Sequence, residues 1–336
     1  MLLWTQFLIV SAIIVVCGTN LSRYGDVIAE KTGLGRAWIG LILMSGVTSL
    51  PELITGISSV TIADTPNIAV GDVMGSCVFN LSIVALMDMF HKPGPIFSRA
   101  EHSHNLTAGF GVILLSIAVI SIIGGPAVPS FGRIRITTPL TIVLYAVAMR
   151  SVFLFQKRQL APHVGALAEA LQYDKVSTKK AALIYAANAA VIVAAAAWLP
   201  ILGDRLAVAT GLGGSFVGSI LIAMTTSLPE LVVSIAALRI GAAEMAIANL
   251  LGSNLFNMLI LAVDDLAFTG GPLLSVVSQN HSITASIAIA MTGIAVVSLT
   301  YRVEKKTVLR LGWDAIALLL GYLVNVYLLY SLRGQG

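Results

Sequence analysis

The sequence predicts an all-α polytopic membrane protein of ten transmembrane helices, arranged as two inverted five-helix repeats. Three observations predict it. Apolar runs near the ~20 residues that cross a bilayer recur from end to end. The second half of the chain repeats the first. The basic residues gather in alternate loops, as cytoplasmic segments of membrane proteins do.

The 336 residues are 57% hydrophobic and only 11% charged, with mean hydropathy +0.93, whereas soluble domains carry about 25% charged residues. The net charge of +4 reflects basic loops and is no nucleic-acid footprint. Cys17 and Cys77 both sit in apolar stretches, so no disulfide framework, zinc site or iron–sulfur centre is expected. Leu2 to Cys17 resembles a signal-peptide core. It lacks a basic leader and a small-residue cleavage site, and Ala181 to Leu202 is a similar run, so it is read as a spanning helix.

The expected spans are 2–22, 36–59, 66–89, 103–124 and 134–156, then 181–202, 213–238, 244–266, 280–300 and 308–332. A polar linker, 157–180, divides a first repeat, 1–156, from a second, 181–336. At an offset of 178, Asp26 matches Asp204, Gly40 matches Gly218, and Thr48-Ser49-Leu50-Pro51-Glu52-Leu53 matches Thr226-Ser227-Leu228-Pro229-Glu230-Leu231. After a slip to 177, Gly75-Ser76 matches Gly252-Ser253, Phe79-Asn80 matches Phe256-Asn257, and Asp88 and His104 match Asp265 and His281. Five spans per half is an odd number, so the halves enter the membrane from opposite sides, an architecture typical of secondary transporters. With the amino terminus outside, sixteen Lys and Arg fall in cytoplasmic segments; only Arg133, Arg135, Arg205 and Arg333 are external. Both termini are therefore expected outside and the linker in the cytoplasm.

A carboxylate inside a spanning segment is costly and marks function by default. Pro51 deprives the carbonyl of Val47 of its helical donor, and Pro229 that of Thr225. Thr48 and Ser49 lie at i−4 and i−3 from Glu52, and Thr226 and Ser227 stand likewise to Glu230, so each set shares a helix face. Carboxylate, hydroxyl and carbonyl oxygens are hard ligands that suit Ca²⁺ or Na⁺ and not a soft metal. The following helices carry Asp72, Ser76 and Asn80, and Asn249, Ser253 and Asn257, each set spaced by four. A polar seam gluing helices would use the same residues; two adjoining polar helices per half make one shared central site the simpler account. Gly75 and Gly252 allow close helix approach.

Duplicated TSLPE followed by GSxxFN resembles the α-repeats of the cation/Ca²⁺ exchanger superfamily, over nearly the whole chain. The resemblance implies the sodium/calcium exchanger fold and antiport of Ca²⁺ for Na⁺ by alternating access, with no cofactor beyond the transported ions. It implies a Ca²⁺ site on Glu52 and Glu230 with oxygens from Thr48 and Thr226. It also implies Na⁺ sites using Ser49, Ser227, Ser76, Ser253, Asn80 and Asn257, joined by carbonyls near Ser45 and Ala223. The chain departs from that pattern at Val47, Thr225, Cys77, Asn257 and Asp72. Asp72 shares the face of Asn80 and either moves a missing carboxylate across the site or sits hydrated near the surface.

Two bare carboxylates in low dielectric repel, so an unloaded site takes up protons, and H⁺ (or K⁺) is the alternative counter-ion. A channel would need a continuous pore, and an intramembrane enzyme a recognisable nucleophile or HExxH-type motif; neither is present. The expected partners are the ions and the bilayer, with no nucleic acid and no obligatory protein partner. The short linker points to a prokaryotic inner membrane. His104 and His281 are expected as interfacial residues retained from the duplication. Asp88, Asp264 and Asp265 are expected to face water or attract cations at a vestibule. Trp38, Trp198 and Tyr301 fit interfacial anchoring.

Overall fold

The computed structural model describes residues 1–32, 45–92, 94–101, 103–160, 177–239, 241–302, 306 and 311–333. The expected start of the second span, Gly40, Trp38 and most of the linker lie outside these, as do the side chains of Asp26 and Ser45. In chain order the elements are α1 (Leu2–Thr32), α2 (Ser45–Thr48), α3 (Leu50–Thr61), α4 (Pro66–Phe90) and α5 (Ser103–Ile123). A two-residue hairpin, β1 (Ser130–Phe131) and β2 (Ile134–Arg135), leads into α6 (Thr137–Leu160). The second half runs α7 (Thr178–Thr210), α8 (Gly214–Thr226), α9 (Leu228–Arg239), α10 (Ala243–Ala267), α11 (Leu273–Val276), α12 (Asn280–Tyr301) and α13 (Trp313–Ser331). Eight of these helices are long and apolar enough to cross a membrane singly. α8 and α9 together make a ninth, bent by 41°, and α2–α3 is its counterpart in the first half. The protein is an integral, multi-pass membrane protein.

The two breaks follow from the prolines. Pro51 and Pro229 are the second residues of α3 and α9, and a proline at the start of a helix has no N–H to leave unpaired. Ser49 and Ser227 sit at the break itself, with φ near −88° in both copies. The one-residue slip in the repeat has an equally local origin: residues 62–65 join α3 to α4, but only 240–242 join α9 to α10. Both linkers turn through a left-handed residue, Asp64 (φ 52°) and Gly241 (φ 80°), and Asp and Gly are the types that tolerate it.

α4 and α10 form the centre, with 83% and 78% of their spans buried, against 22% and 17% for the peripheral α1 and α7. The halves are interlocked. α4 packs on α10, α5 on α12 and α1 on α7, each helix against its own repeat partner. The fifth helix of each half crosses over: α6 packs on α10 and α13 on α4. The same exchange brings α8 against α4 and α2 against α10. α4 is buried on every side, its polar residues included, and its large side chains Ile68, Met74, Leu81, Ile83 and Met87 lie in that centre.

Asp88 and Asp265 do not face water, contrary to the expectation from their place near span ends. They are 1% and 4% exposed. Each clamps the loop that follows its helix: Asp88 accepts from the backbone N–H of Ile96 (2.7 Å), Asp265 from that of Leu273 (2.6 Å), both eight residues on. Asp88 also accepts from Gly312 N–H at 2.8 Å and pairs with Lys306 at 3.6 Å; Asp265 accepts from Thr138 Oγ1. Short loops return these acids to the protein interior, where backbone donors need partners. Asp88→Asn turns an amide group towards one of those N–H donors and should cost about 1–3 kcal/mol of stability. A thermal unfolding midpoint in detergent unchanged from wild type would contradict this assignment.

The matched histidines are likewise buried rather than interfacial, at 4% for His104 and below 1% for His281. His104 Nε2 meets Glu244 at 2.8 Å, and His281 Nε2 meets Asn67 at 3.1 Å. Since Glu244 and Asn67 also correspond at the offset of 177, this is one contact built twice. Trp198 and Tyr301 are exposed on the outer surface, at 51% and 76%, as membrane anchors require.

Candidate cation site

The two helix breaks face each other across the centre and exchange partners. Ser49 donates to Oε1 of Glu230 at 3.1 Å, and Ser227 donates to Oε1 of Glu52 at 2.9 Å. Each glutamate is thus held by the serine of the opposite repeat. The threonines repeat the pattern one step away. Thr226 donates to Asp72 Oδ1 at 2.8 Å, and Thr48 donates to the equivalent Asn249 Oδ1 at 3.5 Å. The Ser76 hydroxyl lies 2.9 Å from that of Ser227 and 3.5 Å from the carbonyl of Ala223; Ser253 reaches Glu230 Oε1 at 3.4 Å. That Ala223 carbonyl also accepts from Ser227 N–H at 3.1 Å.

α4 can come this close because of its glycines. A Cβ at Gly75 would stand 2.6 Å from the Cα of Ser219, and one at Gly71 would stand 3.0 Å from the Cα of Gly218. Gly71 and Gly75 form the small-xxx-small pattern that lets membrane helices touch backbone to backbone. The segment they meet, Val217–Ile222, is a π-helical stretch within α8, and such bulges recur at functional sites. On the other flank Gly18 lets α1 rest on Pro229, whose Cγ would be 2.6 Å from a Cβ there.

Thr48, Ser49, Glu52, Asp72, Ser76, Asn80, Thr226, Ser227, Glu230, Ser253 and Asn257 are all fully buried. Asp72 is therefore no hydrated surface acid. Five oxygens in this group, Glu52 Oε2, Glu230 Oε2, Asp72 Oδ2, Asn80 Oδ1 and Asn257 Oδ1, accept from no protein donor among the described residues. None of the three acids forms an ion pair with Lys, Arg or His among those residues. Buried acceptors are normally satisfied, and a set of acceptors without donors is what the ligands of a cation look like. Among the described residues no three His, Cys, Asp or Glu converge in metal-binding geometry, so a cation held here would rely on hydroxyl, amide and carbonyl oxygens beside the carboxylates. Hard cations such as Ca²⁺ are commonly held in that way.

The structure also places residues the sequence reading passed over. Asn254, at the position matching Cys77, donates to the Cys77 carbonyl at 3.0 Å and accepts from Asn80 Nδ2 at 3.0 Å; Asn257 Nδ2 turns to Cys77 Sγ at 3.8 Å. These bonds engage the Nδ2 atoms of Asn80 and Asn257 and leave their Oδ1 atoms without a protein donor among the described residues. The signal was available: Cys77 and Asn254 correspond at the offset of 177. Ser45 lies outside the described side chains.

Comparison with known proteins gives the family and the fold. The family model for sodium/calcium exchanger proteins matches residues 2–155 and 180–331. The inner membrane protein YrbG of Escherichia coli is 26% identical over 276 residues, covering 78% of each chain. The sodium/calcium exchanger MaX1 of Methanosarcina acetivorans is 31% identical over 121 residues, 36% of this chain and 32% of that one. Among solved structures, the sodium-calcium exchanger NCX_Mj superposes with a TM-score of 0.63 at 19% identity, over 97% of this chain and 98% of its own. The H⁺/Ca²⁺ exchanger CAX superposes with a TM-score of 0.71 at 13% identity, over 98% and 85%.

Proposed function

Because the chain belongs to the sodium/calcium exchanger protein family, a family of exchangers and not of enzymes, we propose that it is a secondary antiporter exchanging Ca²⁺ for Na⁺ by alternating access. The observation that carries this reading is the crosswise hold of Glu52 by Ser227 and Glu230 by Ser49. Two repeats that enter the membrane from opposite sides share one set of ligands, so a rearrangement that opens one half's approach has a mirror-image counterpart opening the other. Glu52, Glu230, Thr48 and Thr226 hold Ca²⁺. Ser49, Ser227, Ser76, Ser253, Asn80, Asn257 and the carbonyls near Ser45 and Ala223 serve Na⁺, and Asp72 supplies a third acid. Two carboxylates balance one Ca²⁺ or two Na⁺, and a buried site that is costly to leave uncompensated favours exchange over leak. The protein sits in a prokaryotic inner membrane with both termini outside and residues 157–180 in the cytoplasm.

A second reading, H⁺- or K⁺-coupled antiport, is favoured by the buried third acid Asp72 and by the likeness to the H⁺/Ca²⁺ exchanger CAX. Ca²⁺ flux into proteoliposomes under separately imposed Na⁺, K⁺ and H⁺ gradients decides between them. The Na⁺ gradient is expected to drive uptake. Uptake driven by H⁺ or K⁺ but not Na⁺ would replace the first reading with the second, and single-channel currents would remove both.

A further inference from the structure

Asp264 has no acidic counterpart: at the repeat offset of 177 its place is taken by Met87. It was expected at a wet vestibule, yet it is fully buried, and neither of its carboxylate oxygens has a hydrogen-bond partner among the described residues. It lies against Gly56, one helical turn beyond Glu52 on α3, where a Cβ would stand 2.7 Å from the Asp264 Cγ. The position matching Gly56 in the other half is Ser234, whose hydroxyl accepts from Asn249 at 3.5 Å. Beyond the ion site, one side of the molecule thus carries Gly56 and Asp264, where the repeat places Ser234 and Met87 on the other.

The charged groups that bear on Asp264 are Asp72 from α4 and Asp265 on its own helix. On α3 the nearest acid in sequence is Glu52. Of the other charged groups, Arg135 of β2 bonds to Ser121 and Gly125, His104 of α5 pairs with Glu244, and Glu230 of α9 accepts from Ser49 and Ser253. None of them offers Asp264 a donor. A bare carboxylate is strongly disfavoured in such surroundings. A metal ion would need several oxygen ligands, but among the described residues no hydroxyl or amide bonds to this carboxylate, whereas a proton needs a single oxygen.

We propose that Asp264 is a proton-binding site beside the ion path, on the face towards which the C-terminal ends of α3 and α10 point. The proton is taken from water on that face and held on one Oδ atom, and it has no equivalent holder on the opposite face. This rests on the antiport reading and adds to it one-sided proton coupling.

The test compares wild type with Asp264→Asn in proteoliposomes, using Ca²⁺/Ca²⁺ self-exchange, pH-gradient-driven Ca²⁺ uptake and an internal pH dye. Self-exchange is expected to stay within about twofold, while pH-driven uptake and the dye signal fall at least about tenfold. Unchanged pH-driven uptake in the variant overturns the proposal, as does a wild type that self-exchanges but shows no pH-driven uptake. Loss of self-exchange in the variant also overturns it, because Asp264 would then support the ion site itself. Infrared spectra of the purified protein give a readout independent of transport. One component of the protonated-carboxyl band should be lost in Asp264→Asn and persist in Glu52→Gln/Glu230→Gln; a band unaffected by Asp264→Asn overturns the proposal even if no exchange is detected. Absence of self-exchange in wild type counts separately, against the antiport reading.

Discussion

Glu52→Gln and Glu230→Gln are each expected to reduce Ca²⁺ flux at least about a hundredfold. The magnitude follows from burial. Both carboxylates are fully buried, each with one oxygen engaged by the opposite repeat and one without a protein donor among the described residues. Removing one partner of a buried charge interaction costs about 3–5 kcal/mol, and each 1.4 kcal/mol is about tenfold in affinity. The two substitutions should also be nearly equal in effect, because Ser227–Glu52 and Ser49–Glu230 are the same contact at 2.9 and 3.1 Å. A variant with either glutamate neutralised that still moved radiolabelled Ca²⁺ near the wild-type rate would remove that glutamate from the site.

The second large effect concerns packing. Gly75→Ala should cost about 1–3 kcal/mol of stability, the range for forcing extra atoms into a close-packed interior, and should depress transport as well. Its Cβ would meet the backbone of Ser219, with the Cα 2.6 Å and the carbonyl carbon 2.7 Å away. Backbone cannot swing aside as a side chain can, so α4 and α8 must separate, and Ser76 then draws away from Ser227 and Ala223. Gly109→Ala on α5 is the control, since nothing lies within 4 Å of a Cβ there. Alanine in that helix should be neutral or stabilising by up to about 1 kcal/mol. Thermal unfolding in detergent separates the two; equal midpoints for both variants would contradict the close crossing.

Much of this arrangement could be read from the chain before its structure. The repeated TSLPE and GSxxFN segments, with their spacing, gave both helix breaks, and parity gave the inversion. Even the slip from 178 to 177 corresponds to a real difference between the 62–65 and 240–242 linkers. The π-helical stretch at Val217–Ile222 was not legible, because nothing in local periodicity marks one extra residue per turn. Burial at span ends was misread for a physical reason. Distance from the middle of a helix says how deep a residue lies along the membrane normal, not whether a loop or neighbouring helix covers it. Asp88 and Asp265 are covered by their own loops and Asp264 by Gly56. The crosswise partners were equally out of reach. Sequence places Ser49 three residues before Glu52 on one face, yet its hydroxyl serves Glu230, a choice made only when the halves meet.

The central claim is that two repeats build one cation site between them. Ca²⁺ titration of the detergent-purified protein by calorimetry tests it most directly. One Ca²⁺ should bind per chain, and either Glu52→Gln or Glu230→Gln should abolish the binding. Two Ca²⁺ per chain, with each single variant keeping one, would contradict it.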